Sequence, residues 1–226
     1  MFVLSLSVAS TLWPLGNRDL SQLYDWLNEY SNMNTSAAAA QMALPTITWG
    51  NVLYLLFNLF IACVYLFVSF FVAHIFIGDK AGLETKQSVR SFVFRIPVLI
   101  VFYVLLVLPM LITFMFFWIS YLFIIPALFI SPTLLLYDKK NVFDAVMNSF
   151  RYSQGYKLSI FWHLLTIYMI YYLLEWLTYL FIPVGSNSRV LLNGFITAFI
   201  VMALGRLMGI FHVIMHPPVE ENMQNS

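Results

Sequence analysis

Apolar and polar positions along this chain fall into long blocks rather than short alternations. Val52 to Ile77 holds no Asp, Glu, Lys or Arg and a single histidine, His74. A helix needs about 20 mostly apolar residues to cross a bilayer core, so this block predicts one crossing. Ile96 to Tyr137 is equally free of charge and roughly twice as long as one crossing requires. Near its midpoint stand Phe117, Trp118, Ser120 and Tyr121. Amphipathic rings favour the headgroup region, which predicts two spans, 96–117 and 119–137, joined by a tight turn. Leu158 to Ile182, closed by Pro183, and Val190 to Met215, followed by Pro217 and Pro218, predict two more. Phe2 to Leu15 is apolar but short, and no basic flank of a secretory signal precedes it. A short span, the remainder of a longer span and an interfacial segment all fit it; a span at 2–15 is the expectation adopted. The pattern therefore predicts an all-α membrane protein, a polytopic bundle of about six transmembrane helices in one domain over 1–226.

Composition leaves little room for another class. Residues of the AVILMFWYC set make up 62% of the 226 and charged residues 9%, against roughly 45–50% and about 25% in soluble domains. The formal net charge of +1 lacks the basic excess that accompanies nucleic-acid binding. Cys63, the single cysteine, lies inside an apolar block and reads as a small buried hydrophobe.

Charge does fix an orientation. Of the 11 Lys and Arg, Lys80, Lys86, Arg90 and Arg95 lie between the second and third predicted spans, and Lys139, Lys140, Arg151 and Lys157 between the fourth and fifth. Arg18 and Arg189 fall on the opposite side, and Arg206 within a span. Basic loops face the cytoplasm. Two such loops require an even number of crossings between them, which agrees with splitting the long block. Six spans then place both termini in the cytoplasm and segment 16–50 outside, with a bacterial cytoplasmic membrane as the expected location. In that segment, Asp19 is placed to cap a short helix marked by Leu20, Leu23, Tyr24, Leu27 and Tyr30. Ser31 to Ala43 reads as a linker, and Asn34-Thr35-Ser36 matches a glycosylation triplet that is common by chance.

The two basic loops echo each other, beginning Asp79-Lys80 and Asp138-Lys139. In the second, Val142, Phe143, Val146, Met147 and Phe150 share a helical face, predicting a short helix in the membrane interface that ends near Gly155. Val89, Phe92, Val93 and Ile96 give a weaker version in the first. A repeat of span, interfacial helix and span is one reading; the general likeness of short basic loops is the other.

Pro132-Thr133-Leu134-Leu135-Leu136-Tyr137-Asp138, followed by Ala145, Ser149-Phe150 and Gly155, resembles the membrane domain fused to some bacterial glycerophosphoryl diester phosphodiesterases and its stand-alone uncharacterised relatives. Gly78 to Pro97 resembles the earlier loop of the same families, so the likeness covers about residues 50–180. It implies a membrane architecture and an accessory role. The chain has no soluble phosphodiesterase domain to which catalysis could be carried over.

Ionisable residues inside spans are costly and are functional candidates by default. Here they are Glu175 and Arg206, on consecutive antiparallel spans. An ion pair, a proton- or ion-coupling role for Glu175, and a partly hydrated Glu near the outer interface beside Tyr171, Tyr172 and Tyr179 are the readings they admit. The histidines His74, His163, His212 and His216 all map to cytoplasmic span ends. His212 and His216 have a spacing that can bind metal, but no Glu directly follows His212, so the metalloprotease pattern is absent and headgroup contact is expected, with no metal and no cofactor. In the last span Gly194, Ala198, Met202, Gly205, Gly209, His212 and His216 form a stripe. Its GxxxG pair permits close helix approach, either within the chain or to a membrane-protein partner or second copy. No GxSxG elbow or phosphate-cradling loop is present, and Ser120 and Ser131 have no base nearby in sequence. The expected function is thus a non-enzymatic accessory, assembly or transport-associated subunit in contact with lipid, the alternative being a small transporter or channel using Glu175 and Arg206.

The topology is directly testable. In a Cys63→Ser background, cysteines introduced at Gln87 and Asn148 should react with an impermeant maleimide only from the cytoplasmic side, and one at Asn28 only from outside. Opposite accessibility of Gln87 and Asn148 would mean that the long block crosses once.

Overall fold

The computed structural model describes residues 1–31, 48–110, 122–183 and 186–215, and every regular element among them is a helix. They are α1 (Phe2–Leu12), α2 (Ser21–Ser31), α3 (Trp49–Lys80), α4 (Thr85–Met110), α5 (Leu122–Leu136), α6 (Val142–Tyr152), α7 (Lys157–Phe181) and α8 (Asn187–Met215). Four of these, α3, α4, α7 and α8, are long and apolar enough to cross a membrane. The expectation of six spans meets α1 and α5 as shorter apolar helices; Ser31, expected to open the linker, is the last residue of α2, while the rest of the linker, its Asn34 triplet and the expected turn at Phe117 to Tyr121 lie outside the described residues.

The helices outrun the apolar blocks because backbone hydrogen bonding continues into polar sequence. At the start of α3, Thr48 Oγ1 accepts from the Asn51 amide at 3.2 Å while Asn51 Oδ1 accepts from the Thr48 amide at 3.0 Å, a reciprocal cap. Asn51 is buried, and its side-chain Nδ2 donates to the carbonyls of Asn17 and Asp19, at 3.2 and 2.7 Å, tying the chain after α1 to α3. Gly16 sits there with φ +93°, and a Cβ on it would overlap the backbone of Gly50 and Tyr54. Asp19 accepts from the Ser21 amide at 3.0 Å at the entry to α2, and its hydrogen bonds with Ser21 hold its carboxyl below the usual carboxylate range.

The two basic loops differ in build. In the first, Thr85 to Arg95 does not lie separately at the interface but forms the opening turns of α4. Phe92 is buried there, edge-on to Phe67 and Phe71 of α3 at 5.3 and 5.0 Å. Packing against α3 outcompetes the interface for this segment. Further along, α4 passes through a π-turn at Tyr103–Val107, where the Tyr103 hydroxyl donates to the Cys63 carbonyl of α3 at 2.9 Å. The second loop does carry a separate helix, α6. Its small residues Ala145, Ser149 and the following Ser153 are buried, and Ser149 Oγ donates to the Ala127 carbonyl of α5 at 2.8 Å. Gly155, at φ +87°, turns the chain into α7.

The centre of the bundle is α8 against α3. An added Cβ on Gly205 would lie 2.5 Å from the Ser69 carbonyl oxygen and 2.8 Å from Val72 Cβ; on Gly209 it would lie 2.6 Å from Phe76 Cδ1. Beside them, Ser69 Oγ donates to the Val201 carbonyl at 3.0 Å in a buried interhelical bond. Gly194 instead meets α1, with Leu4 Cδ1 at 2.9 Å from the Cβ position. Ala198 is half-buried and Met202 is exposed, so the stripe loses members where α8 turns from α1 to α3. A buried apolar cluster collects Phe70, Ala73, Phe92, Leu99, Phe102, Leu134, Leu135, Leu207 and Phe211 from α3, α4, α5 and α8.

The nature of the obstructing atom ranks the glycines. At Gly205 it is backbone, which cannot rotate away; at Gly209 it is the ring of Phe76. Gly205→Ala should therefore lower the thermal midpoint in detergent more than Gly209→Ala, and leucine at either site should cut the yield of monodisperse protein several-fold. Leu204→Val and Ile210→Val should be close to wild type. Equal tolerance at all four sites would show that this face packs against nothing.

Candidate functional site at the basic end

Polar side chains from four helices meet inside the bundle at the end that carries the basic loops. His74 comes from α3, Ser88 from α4, Thr133 from α5 with Tyr137 and Asp138 just after it, and His212 from α8. His74, Ser88, Thr133 and His212 are buried. The Tyr137 ring lies between the imidazoles, edge-on to His74 at 6.0 Å and to His212 at 5.8 Å.

Local sequence explains how α5 delivers its part. Pro132 has no N–H to give to the carbonyl of Leu128, one turn back. Ser131 Oγ donates to that carbonyl instead, at 2.6 Å. Thr133 Oγ1 similarly donates to the Ile130 carbonyl at 2.7 Å. The helix is thereby re-formed around the proline and ends at Leu136. Lys139, at φ +56°, then reverses the chain, and its carbonyl accepts from Arg95 Nη2 at 3.2 Å. The two ends of the long apolar block therefore lie side by side.

These bonds assign protons. A threonine hydroxyl has one hydrogen, and that of Thr133 is given to Ile130. His212 Nδ1, 2.9 Å from Thr133 Oγ1, must then be the donor. Its Nε2 faces Asp138 Oδ1 at 3.7 Å. The imidazole is thus held between the Thr133 hydroxyl on one side and the Asp138 carboxylate on the other. His74 Nε2 is 3.1 Å from the Ser88 carbonyl and donates to it. His74 Nδ1 and Ser88 Oγ are buried without hydrogen-bond partners. The hydroxyls of Ser69, Ser131, Thr133, Ser149 and Ser153 all donate to main-chain carbonyls.

The sequence-level candidates separate accordingly. His74 and His212 converge on Tyr137, whereas His163 is exposed and bonds the Ser159 carbonyl of its own helix at 2.7 Å, its ring against Phe211. His216 lies outside the described residues. The carboxylate that meets His212 is distant in sequence: the fold brings Asp138 to it. Among the described residues no group of three or more His, Cys, Asp or Glu is arranged to hold a metal ion. Glu175 and Arg206 are not brought together. Thr178 Oγ1 of α7 stands 3.3 Å from Asn193 Oδ1 of α8. From that level Arg206 lies some ten residues of helix rise deeper than Glu175, about 15 Å. Arg206 is exposed and Glu175 half-buried, with Tyr171 beside it.

No family model matches this chain, and neither does any curated protein or solved structure.

Thr133 tests the cluster without touching its charges. Thr133→Val keeps the volume but removes the acceptor for a buried imidazole N–H, which costs about 1–3 kcal/mol. Thr133→Ser should recover most of that loss. Thermal unfolding in detergent measures both, and a valine variant as stable as wild type would show that His212 does not depend on this bond.

Proposed function

We propose that this chain is a non-enzymatic subunit of a bacterial cytoplasmic membrane, accessory to assembly or transport, crossing six times with both termini in the cytoplasm and engaging another membrane protein through α7. One observation carries this reading. Of the four long helices, α7 has the lowest mean hydropathy and is also the least buried within the chain. Aromatic belts explain Trp176 and Tyr179 near its end. They do not explain Tyr168 and Tyr172, which are exposed well below that end, Tyr168 by about 20 Å of helix rise. Hydroxyl-bearing side chains at this depth are better served by protein than by acyl chains.

Other features agree. The glycines of α8 are occupied by α1 and α3, so its partner-facing surface is the row Phe195, Phe199, Met202, Arg206 and Ile210, all exposed. Serine and threonine hydroxyls engaged with carbonyls favour a structural polar core over catalysis. The contact of Arg95 with Lys139 favours an even number of crossings in the long block. The residues that resemble the phosphodiesterase-associated membrane domain (Pro132, Asp138, Ala145, Ser149, Gly155) serve architecture here, in keeping with an accessory role. A transport path through Glu175 and Arg206 is disfavoured by their separation in depth.

Site-specific photo-crosslinking in cells tests the proposal. A benzophenone residue at Tyr168 or Tyr172 should give a discrete adduct with a second polypeptide, and one at Val104 or Leu105 of α4 should give none. Adducts with lipid alone at all four positions would overturn it.

A further inference from the structure

The basic end repeats one arrangement on neighbouring helices. Lys80 Nζ stands 5.9 Å from the centre of the Phe76 ring, the Arg90 guanidinium 5.6 Å from Phe94, and Lys157 Nζ 5.6 Å from Phe150. These are cation–π distances. Direction matters more than energy here. α3 runs toward this end and α4 away from it. In α3 the phenylalanine precedes its cation by one turn; in α4 the cation precedes its phenylalanine by one turn. The reversed order gives the same spatial order, ring inside and cation outside, on both helices. That is the layering of an acyl-to-headgroup boundary.

α6 lies at the same level. Its small face is fixed to α5 through Ser149 and Ala127, so its large apolar residues turn outward. Phe143 is 72% exposed and Met147 57%. Lys139 precedes this face, Arg151 and Lys157 follow it, and all three are exposed. An apolar face this open, edged by cations, matches a leaflet surface carrying negative headgroups. The acidic residues nearby, Asp79, Glu84 and Asp144, are fewer than the cations, and Asp138 is engaged with His212.

We infer that the basic end is a docking surface for anionic lipid, with Phe143, Met147 and Phe150 of α6 seated among acyl chains and Lys139, Lys140, Arg151 and Lys157 holding the phosphates of the headgroups. The surface is distinct from the α7 face and does not rest on the partner assigned to it. Glutamine at all four cationic positions should abolish the lipid preference.

The test uses the full chain in nanodiscs of phosphatidylcholine and phosphatidylglycerol. After exchange into detergent, co-purifying lipid should be enriched in phosphatidylglycerol by roughly tenfold, falling to within about twofold of parity in the four-fold glutamine variant. Inorganic phosphate should not displace it. A fluorophore on Met147→Cys in the Cys63→Ser background provides a readout that does not depend on the glutamine variant folding. It should be quenched by brominated lipid and shielded from iodide. No enrichment in the wild type, displacement by inorganic phosphate, or quenching by iodide alone would each overturn the inference.

Discussion

Backbone-level contact between α3 and α8 governs the rest of this structure. Where Gly205 faces the Ser69 carbonyl there is no room for a methyl group, and the Ser69 hydroxyl spans the same gap to Val201. In a bilayer, lipid tails are as apolar as any side chain, so helices associate through close packing and interhelical hydrogen bonds rather than through apolar burial. This crossing has both. It also sets a register. With Ser69 level with Val201 and Ala73 level with Gly209, His74 directly after Ala73 and His212 about one turn past Gly209 both reach the Tyr137 ring. The polar cluster at the basic end is a consequence of two glycines further inside the bundle.

That cluster in turn adds polar ties to α5, whose second half is already packed in the core through Ile130, Leu134, Leu135 and Leu136. A proline in its second half removes a backbone bond, and Ser131 replaces it. Thr133, freed to accept by giving its own proton to Ile130, receives His212. Asp138 at the end of the helix then meets the other nitrogen of the same ring. One imidazole thus fixes both the rotation and the depth of α5 against α8. Arg95, by holding the Lys139 carbonyl, fixes where the chain turns back.

What could be read from the sequence was whatever depends on local composition. Block lengths located α3, α7 and α8 to within a few residues, and the spacing of Gly205 and Gly209 marked the close face of α8. The helix α6 followed from its own periodicity; the sequence did not mark Ala145 and Ser149 as its face toward the bundle, where a serine bonded to Ala127 needs close approach. The misses are long-range. Nothing between Asp138 and His212 in the chain announces that they meet. The likeness of the two basic loops did not extend to structure: Phe92 draws the first into α4, whereas Gly155 breaks the second away from α7.

The same distinction bears on the two intramembrane charges. Sequence adjacency of their helices makes Glu175 and Arg206 look like partners, but antiparallel neighbours meet only at equal depth. The Thr178 and Asn193 contact sets that depth, and it puts the pair about 15 Å apart. An arginine that far toward the basic end can extend its guanidinium to the headgroups while its stem stays among acyl chains. A glutamate near the opposite end, beside Tyr171, has polar company of its own. Their separation in depth leaves each charge to neighbours other than the other. The chain can expose both helices to a partner without a buried ion pair having to break.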